Sequence, residues 1–233
     1  MPSTVGIERI RIAILKDDET IDTSFGTNGI FDIDARTSLG ATKASITGLA
    51  PQISRIWGSN ESVGVSSRGT GQVSATIGAN SIPADIIAKI TGMDKDSSTG
   101  GYTLGSQSRA PYAVMEAIST DERTGKDVHF AIFKGMFTPE EQNLQTNTQN
   151  QERTTDSLTF TGVNRISDKL IYGTMWESDP NHDLDKWNSF VFPTTSNGAT
   201  PAASANGVTG SSNTTPSSGS NGSSSTGSGL ASH

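Results

Sequence analysis

Alternation of apolar and polar side chains with a period of two is the feature that most narrows what this chain can fold into. It recurs in short segments, each bounded by Gly, Asp, Asn, Ser or Pro. Because successive side chains of a strand point to opposite faces of a sheet, this pattern is typical of strands joined by turns. The predicted strands are residues 10–15, 45–49, 53–57, 72–77, 112–118, 128–137, 156–163 and 169–176.

Residues 128–137 form the most apolar of these segments. Val128, Phe130, Ile132, Lys134 and Met136 would share one face of the strand, and His129, Ala131, Phe133, Gly135 and Phe137 the other. Since both faces are largely apolar, the segment is predicted to be a central strand that is covered on both sides.

One segment has helical spacing instead. Ile82, Ile86, Ile87 and Ile90 recur at that spacing in residues 81–91, with Asp85 near the start and Lys89 near the end. Ser81 suits an N-cap, Pro83 a first turn, and Gly92 a C-terminal stop. A second short helical turn is possible at residues 183–187.

Together these patterns predict a mainly β fold, namely a β-sandwich or barrel with one packed α-helix, about residues 81–91, and long loops. Residues 58–69 and 94–109 are rich in Ser and Gly and are predicted to be long loops. Loops of that length in a compact domain tend to be functional or mobile. In a self-assembling protein they would be candidate contact arms.

The C-terminal segment has a different composition from the rest of the chain. Residues 194–233 contain no Asp, Glu, Lys, Arg or aromatic residue and consist mostly of Ser, Gly, Thr, Asn and Ala. Such a segment buries too little apolar surface to offset its ordering entropy. We therefore predict a folded domain at residues 1–193 and a disordered tail at residues 194–233.

Charge and composition exclude several classes of function. The 24 acidic and 17 basic side chains all precede residue 194 and give a net charge of −7. That balance argues against a protein that grips nucleic-acid phosphates with a basic face. The chain has no cysteine, and we expect no membrane partner because no apolar run approaches the roughly 20 residues that span a bilayer. The first residues show no classical signal pattern.

The sequence carries no recognisable catalytic or metal-binding motif. It lacks the His-Glu-x-x-His, Gly-x-Ser-x-Gly and phosphate-loop patterns. The runs that begin at Asp179 and Asp94 imitate calcium loops but lack the sixth-position Gly and the twelfth-position Glu. We interpret them as a helix-capping turn and a solvated loop, and His129 as a structural residue. No enzymatic activity, cofactor or metal is predicted.

An ordered set of segments resembles a known family. Residues 130–137, 144–147, 153–163 and 171–173, followed by Trp187, resemble the major tail protein (tail-tube) family of long-tailed bacteriophages of Gram-positive hosts. With looser flanks, the similarity covers most of residues 5–192. The order of β-rich half, helix, strand and Lys-Gly hairpin also agrees with that family.

The resemblance implies a structural virion protein with a tail-tube fold, made in the host cytoplasm. Its subunits would form rings, usually hexameric in the family, that stack into a hollow tube. Tape-measure and tail-terminator proteins would be its partners, and DNA would pass through without specific binding. Some family members carry a further C-terminal domain, so residues 194–233 are interpreted as a linker or a surface decoration.

A channel that conducts DNA is expected to have an acidic or neutral wall, because a basic wall would hold the phosphates. Asp32, Asp34 and Glu116 are the predicted lumen-lining residues, since each lies on or beside a predicted strand. Asp32 and Asp34 would share one strand face, where a solvent-facing role is the alternative. Two other functions remain open: an adhesin with a Ser/Thr-rich stalk, and a hydrolase whose site lacks a known motif.

Overall fold

A computed structural model describes residues 3–51, 53–66, 71–139 and 155–194. The predicted tail at residues 194–233 therefore lies, apart from Thr194, outside the described residues, as do residues 144–147. The described part contains twelve strands and two helices. The strands are β1 (Thr4–Ile14), β2 (Phe31–Ile33), β3 (Ala41–Thr47), β4 (Ser54–Gly58), β5 (Glu61–Ser66), β6 (Ser74–Ala79), β7 (Asp94–Lys95), β8 (Tyr102–Thr103), β9 (Tyr112–Asp121), β10 (Asp127–Pro139), β11 (Asp156–Gly162) and β12 (Tyr172–Trp176). The helices are α1 (Ala84–Thr91) and α2 (Leu184–Val191).

Eight strands form one antiparallel sheet in the order β2-β1-β9-β10-β11-β6-β3, with β12 also paired to β10. The mainly β class with a packed helix is thus confirmed. The sheet does not close into a barrel within the described residues, although β1 and β3 come close to each other across the core.

Strand β10 is the centre of the sheet, as its two apolar faces predicted. One edge pairs with β9, while the other pairs with β12 at residues 128–132 and with β11 at residues 135–139. Eight of its thirteen residues are buried. Along one edge of β10 the sheet therefore divides, with β12 paired to its first half and β11 to its second half.

The two helices cover opposite faces of this sheet. On the α1 side, Ile86 and Ile90 belong to a large apolar core with Ile12, Met115 and Phe160. On the α2 side, a smaller core joins Val191 and Phe192 to residues of β1, β9 and β10. Along strands β1 and β9, successive side chains point alternately into the core beneath α1 and the core beneath α2. This alternation is the structural basis of the period-two sequence pattern.

The helix termini confirm most predicted caps and correct one. Gly92 ends α1 in the left-handed conformation, and a Cβ there would lie 2.3 Å from the carbonyl oxygen of Arg109. Asp183 is the N-cap of α2 and accepts a hydrogen bond from Lys186 N. The prediction of Ser81 as the N-cap of α1 is wrong. Pro83 occupies that position without a side-chain cap, and Asp156 instead accepts from the Ile82 N–H at 2.7 Å.

Two other boundaries differ from the predictions. Residues 58–69 are not simply a loop, because β4 and β5 form a hairpin there. The predicted strand at residues 169–176 begins only at Tyr172; Lys169 adopts a positive φ of 63°, which lies outside the β region. None of the helices in the described ranges is long and apolar enough to span a membrane.

Candidate assembly surfaces

Strands β4 and β5 form an arm that stands apart from the main sheet. Within the described residues they pair with each other, in register from Ser54–Ser66 to Gly58–Glu61. Ser59 and Asn60 connect them with φ values of 51° and 69°. Two successive positive φ values define the tight turn that matches the twist of a hairpin. We refer to residues 53–66 as the arm.

The arm exposes apolar side chains that a soluble subunit would normally bury. The exposed fractions are 68% for Ile53, 54% for Ile56, 65% for Trp57, 66% for Val63 and 63% for Val65. An isolated two-stranded hairpin is at best marginally stable in water. A concentration of exposed apolar side chains of this kind typically marks a contact surface.

Close backbone packing holds the base of the arm. The chain enters it past Gly48, with φ 72°, and returns through Gly71. A Cβ on Gly48 would lie 1.8 Å from the Gln72 carbonyl oxygen, and one on Gly71 would lie 2.0 Å from the Gly48 carbonyl oxygen. Both positions therefore require glycine, because any side chain would force the two segments apart.

A row of charged side chains crosses strands β2, β1 and β9 on the face covered by α2. Arg11 is the register partner of Asp32 on one side and of Glu116 on the other. Arg11 Nη1 donates to Glu116 Oε2 at 2.9 Å, and Arg11 Nε lies 3.7 Å from Asp32 Oδ1. The structure thus brings two of the three predicted lumen residues together, through an arginine.

Glu116 is the centre of a buried hydrogen-bond network. Its Oε1 accepts from Trp187 Nε1 at 2.7 Å and lies 3.0 Å from His129 Nδ1, in addition to the contact with Arg11. Burial raises the pKa of this carboxyl, but the hydrogen bonds from His129 and Trp187 and the charge of Arg11 outweigh it, so the pKa is lowered. Arg11 also donates to Asn188 Oδ1 at 2.7 Å. The network therefore anchors α2 to the sheet.

His129 lies between two carboxylates. Its Nε2 is 3.3 Å from Glu177 Oε1, while its Nδ1 faces Glu116. Burial lowers the pKa of the imidazole, but Glu116 and Glu177 together outweigh that effect and raise it. A neutral imidazole has only one N–H, so the geometry in which both ring nitrogens face carboxylates suits the charged form.

The three predicted lumen residues have different environments. Glu116 is fully buried inside the subunit, so its carboxylate offers no surface to a channel, and this part of the prediction needs correction. The Asp32 side chain is 42% exposed. Asp34 lies one residue beyond β2, not on the same strand face, and accepts hydrogen bonds from the N–H groups of Arg36 and Thr37. Asp32 and Asp34 remain predictions.

Sequence reasoning missed the network and the arm for different reasons. Arg11, Glu116 and His129 each interrupt an otherwise apolar strand, a signal that could have marked them as inward-facing partners. The arm has no Asn-Gly or Asp-Gly dipeptide at its turn. The sequence analysis therefore placed Ile53, Ile56 and Trp57 in a strand but Val63 and Val65 in a long loop, and did not join the two segments into one hairpin.

The acidic runs that imitate calcium loops form ordinary turns. Asp179 accepts from the Asn181 N–H and Asp183 caps α2, which confirms the interpretation as a helix-capping turn. Asp96 accepts from the N–H and hydroxyl of Ser98. In the described residues, no group of three or more His, Asp or Glu side chains is arranged to hold a metal ion.

Comparison with known proteins places this architecture in a family. A family model described as phage tail tube protein matches residues 2–200. The chain belongs to the phage tail tube protein family. As a tail tube protein it has a structural role in the phage tail, and the tail of the virion is where it resides. None of the curated proteins compared with it matches.

Proposed function

We propose that this tail tube protein assembles with copies of itself into rings, hexameric as in the resembling family, and that the rings stack into the tube. The observation that carries the proposal is the arm, which leaves five apolar side chains more than half exposed among the described residues. Burying them against another copy would contribute roughly 25 cal/mol for each Å² of apolar surface. The tube would be the conduit for DNA in a long-tailed phage of a Gram-positive host. Tape-measure and tail-terminator proteins would meet its ends.

Electron microscopy of the purified protein tests assembly directly. We expect negatively stained rings or tubes from the full chain, and loss of these particles in the double variant Val63→Ser, Val65→Ser. Leu104→Ser is the matched control, because Leu104 is 64% exposed but lies outside the arm. Rings formed equally by the arm variant and the control would contradict a role for the arm. A wild-type protein that stays monomeric at high concentration would contradict self-assembly.

The boundary between domain and tail is proposed to lie at residue 193. Pro193 O accepts from the Ile21 N–H at 2.8 Å, and Phe192 is buried with its ring 4.6 Å from the Arg11 guanidinium carbon. A chain that ends at Pro193 keeps both contacts, so we expect it to assemble as the full chain does. Loss of rings from this chain while its thermal unfolding is unchanged would assign residues 194–233 a role in assembly.

The conduit is proposed to have an acidic or neutral wall to which Asp32 and Asp34 contribute. Repulsion between such a wall and phosphates acts within a Debye length of roughly 8 Å. Asp32→Lys and Asp34→Lys are expected to increase DNA retention and slow genome ejection, with Asp17→Lys as a control on an exposed turn. Asp34→Asn separates charge from turn capping, since the amide oxygen can still accept from Arg36 and Thr37. Unchanged DNA transit through intact tubes would remove these residues from the wall.

The protein is proposed to have no enzymatic activity. Two buried titratable groups that could serve catalysis, Glu116 and His129, are enclosed beneath α2 and hydrogen-bonded to one another. A screen of the purified protein on ester, peptide and glycan substrates is expected to show no turnover above a buffer control. Turnover that is retained after removal of contaminants by a second purification would contradict this.

A further inference from the structure

The loop between β11 and β12, residues 163–170, holds apolar side chains at the surface without any regular secondary structure. Ile166 is 64% exposed, Leu170 is 41% exposed and Val163 is 39% exposed. Apart from the arm, the other large exposed apolar side chains of the described residues are scattered over separate segments. Residues 163–170 are therefore the second apolar concentration on this surface, and we call them the knob loop.

A buried carboxylate fastens the knob loop from behind. Glu19 Oε1 accepts from the Ile166 N–H at 2.6 Å and from Lys134 Nζ at 2.7 Å, while Oε2 accepts from the Ser167 N–H at 3.1 Å. Glu19 and Lys134 are 9% and 6% exposed. Glu19 also adopts a positive φ of 62°, an uncommon and costly conformation for this residue type.

A buried arginine fastens the same loop from its other side. Arg165 is 4% exposed, forms an ion pair with Asp168, and donates to the Phe190 carbonyl oxygen at 2.9 Å. Its guanidinium carbon lies 4.8 Å from the Phe133 ring centroid and 4.6 Å from that of Phe190. The charges of Glu19, Lys134, Arg165 and Asp168 are thus paired inside the subunit, and Lys169 is the one charged side chain of the loop left outside these pairs.

These contacts fix the conformation of the knob loop. The fixed conformation leaves Ile166 exposed to solvent, so the single subunit gains no apolar burial from it. A loop that is ordered in advance loses little conformational entropy when a partner covers it. Observed backbone strain of this kind supports a functional hypothesis. The arrangement is what a preformed contact site requires.

We propose that the knob loop is the docking site for the arm of a second copy of this chain, an inference that rests on the proposed self-assembly. In a ring, each subunit contacts its two neighbours through two different surfaces. An apolar surface of one copy would therefore pack against a different surface of the next copy. The arm and the knob loop are the two apolar concentrations of the described surface, and inward pairing of the loop's charges suits an apolar partner. Trp57 on the arm is the residue type that most often anchors such contacts.

Cysteine cross-linking tests the pairing, because the protein has no cysteine of its own. Chains with Ile166→Cys and chains with Val63→Cys, distinguished by tags of different size, are mixed before assembly and then oxidised. We expect a cross-linked dimer that contains one chain of each kind. Leu39→Cys replaces Ile166→Cys in the control, since Leu39 is 59% exposed and lies outside both surfaces.

The possible outcomes separate this inference from the proposed function. Rings with the mixed dimer well above the Leu39→Cys control support both. Rings without it, or with dimers of Ile166→Cys chains alone, overturn the pairing and leave self-assembly standing. Absence of rings in every sample, including wild type, overturns both.

A second measurement uses charge instead of cysteine. Ile166→Asp would place an unpaired carboxylate in the contact and is expected to raise the concentration needed for ring formation by about tenfold or more. Leu39→Asp is the control and should leave that concentration unchanged. Equal behaviour of the two variants, with folding intact, would overturn the pairing.

Discussion

The arm and the network beneath α2 both depart from the usual distribution of side chains: the network buries charged groups, and the arm exposes apolar ones. The network buries Glu116 and His129 and partly buries Arg11 inside the sheet and helix layer, whereas the arm leaves Trp57 and Val65 in contact with solvent. Every charge in the network has a partner within the subunit. The apolar side chains of the arm, by contrast, remain more than half exposed among the described residues. The first region is complete in one chain, and the second would be completed by another chain.

Removing the centre of the network is expected to have the largest effect on the single subunit. Glu116→Ala removes the buried carboxylate that faces both Arg11 and His129, and breaking a buried ion pair costs about 3–5 kcal/mol. Urea unfolding of the monomer should show this loss in the free energy of unfolding. Glu61→Ala, on the exposed arm, should change that free energy very little. A loss for Glu116→Ala that is no larger than for Glu61→Ala would break the comparison.

The core beneath α1 provides a second reference for a region complete in one chain. Ile86 is 6% exposed, so Ile86→Ala is expected to cost about 2–5 kcal/mol of unfolding free energy through lost transfer energy and a cavity. Ile87 packs against the same core but is only partly buried, so Ile87→Ala should cost less. Thermal or urea unfolding checks both. Near-zero effects for both variants would place this face of α1 outside the core.

The pH dependence of stability tests whether His129 is charged within the buried network. Its pKa is raised in the folded protein, so its stabilising contribution is fully present below the unfolded value of 6.5 and is lost as pH rises through the folded pKa. We therefore expect the difference in melting temperature between wild type and His129→Gln to shrink as the pH rises above the unfolded pKa of 6.5 and through the raised folded pKa. His182→Gln, in an exposed turn, should show no such trend. A difference that grows with pH would mean that His129 is neutral when folded.

The smallest stability effect is expected on the arm. Trp57→Ser removes a side chain that is 65% exposed, and surface substitutions of this kind usually change stability within about 0.5 kcal/mol. The same variant should assemble poorly, because the lost contact belongs to the assembled state. The comparison would fail if Trp57→Ser unfolded the monomer as readily as Glu116→Ala.

Much of the fold could be predicted because it depends on local periodicity. The apolar alternation located all eight predicted strands, and the helical spacing of Ile82, Ile86 and Ile90 located α1. The terminus of α1 at Gly92 followed from the special conformations that glycine tolerates. The start of α1 did not follow, because the group that satisfies Ile82 N–H is the side chain of Asp156, 74 residues away.

The resemblance of an ordered set of sequence segments was enough to indicate the family, since it needs no knowledge of which residues meet, and the family match over residues 2–200 agrees with it. The candidate site was different. Whether Glu116 faces a channel or the interior depends on Arg11, His129 and Trp187, which come from three distant parts of the chain. Likewise, Glu19 orders the knob loop across 147 residues of sequence. By itself the sequence determined the β-rich class, the helix and the absence of cysteine. Only the tertiary structure decided which charges are buried and which apolar side chains stay exposed, because burial depends on what the fold places opposite each side chain.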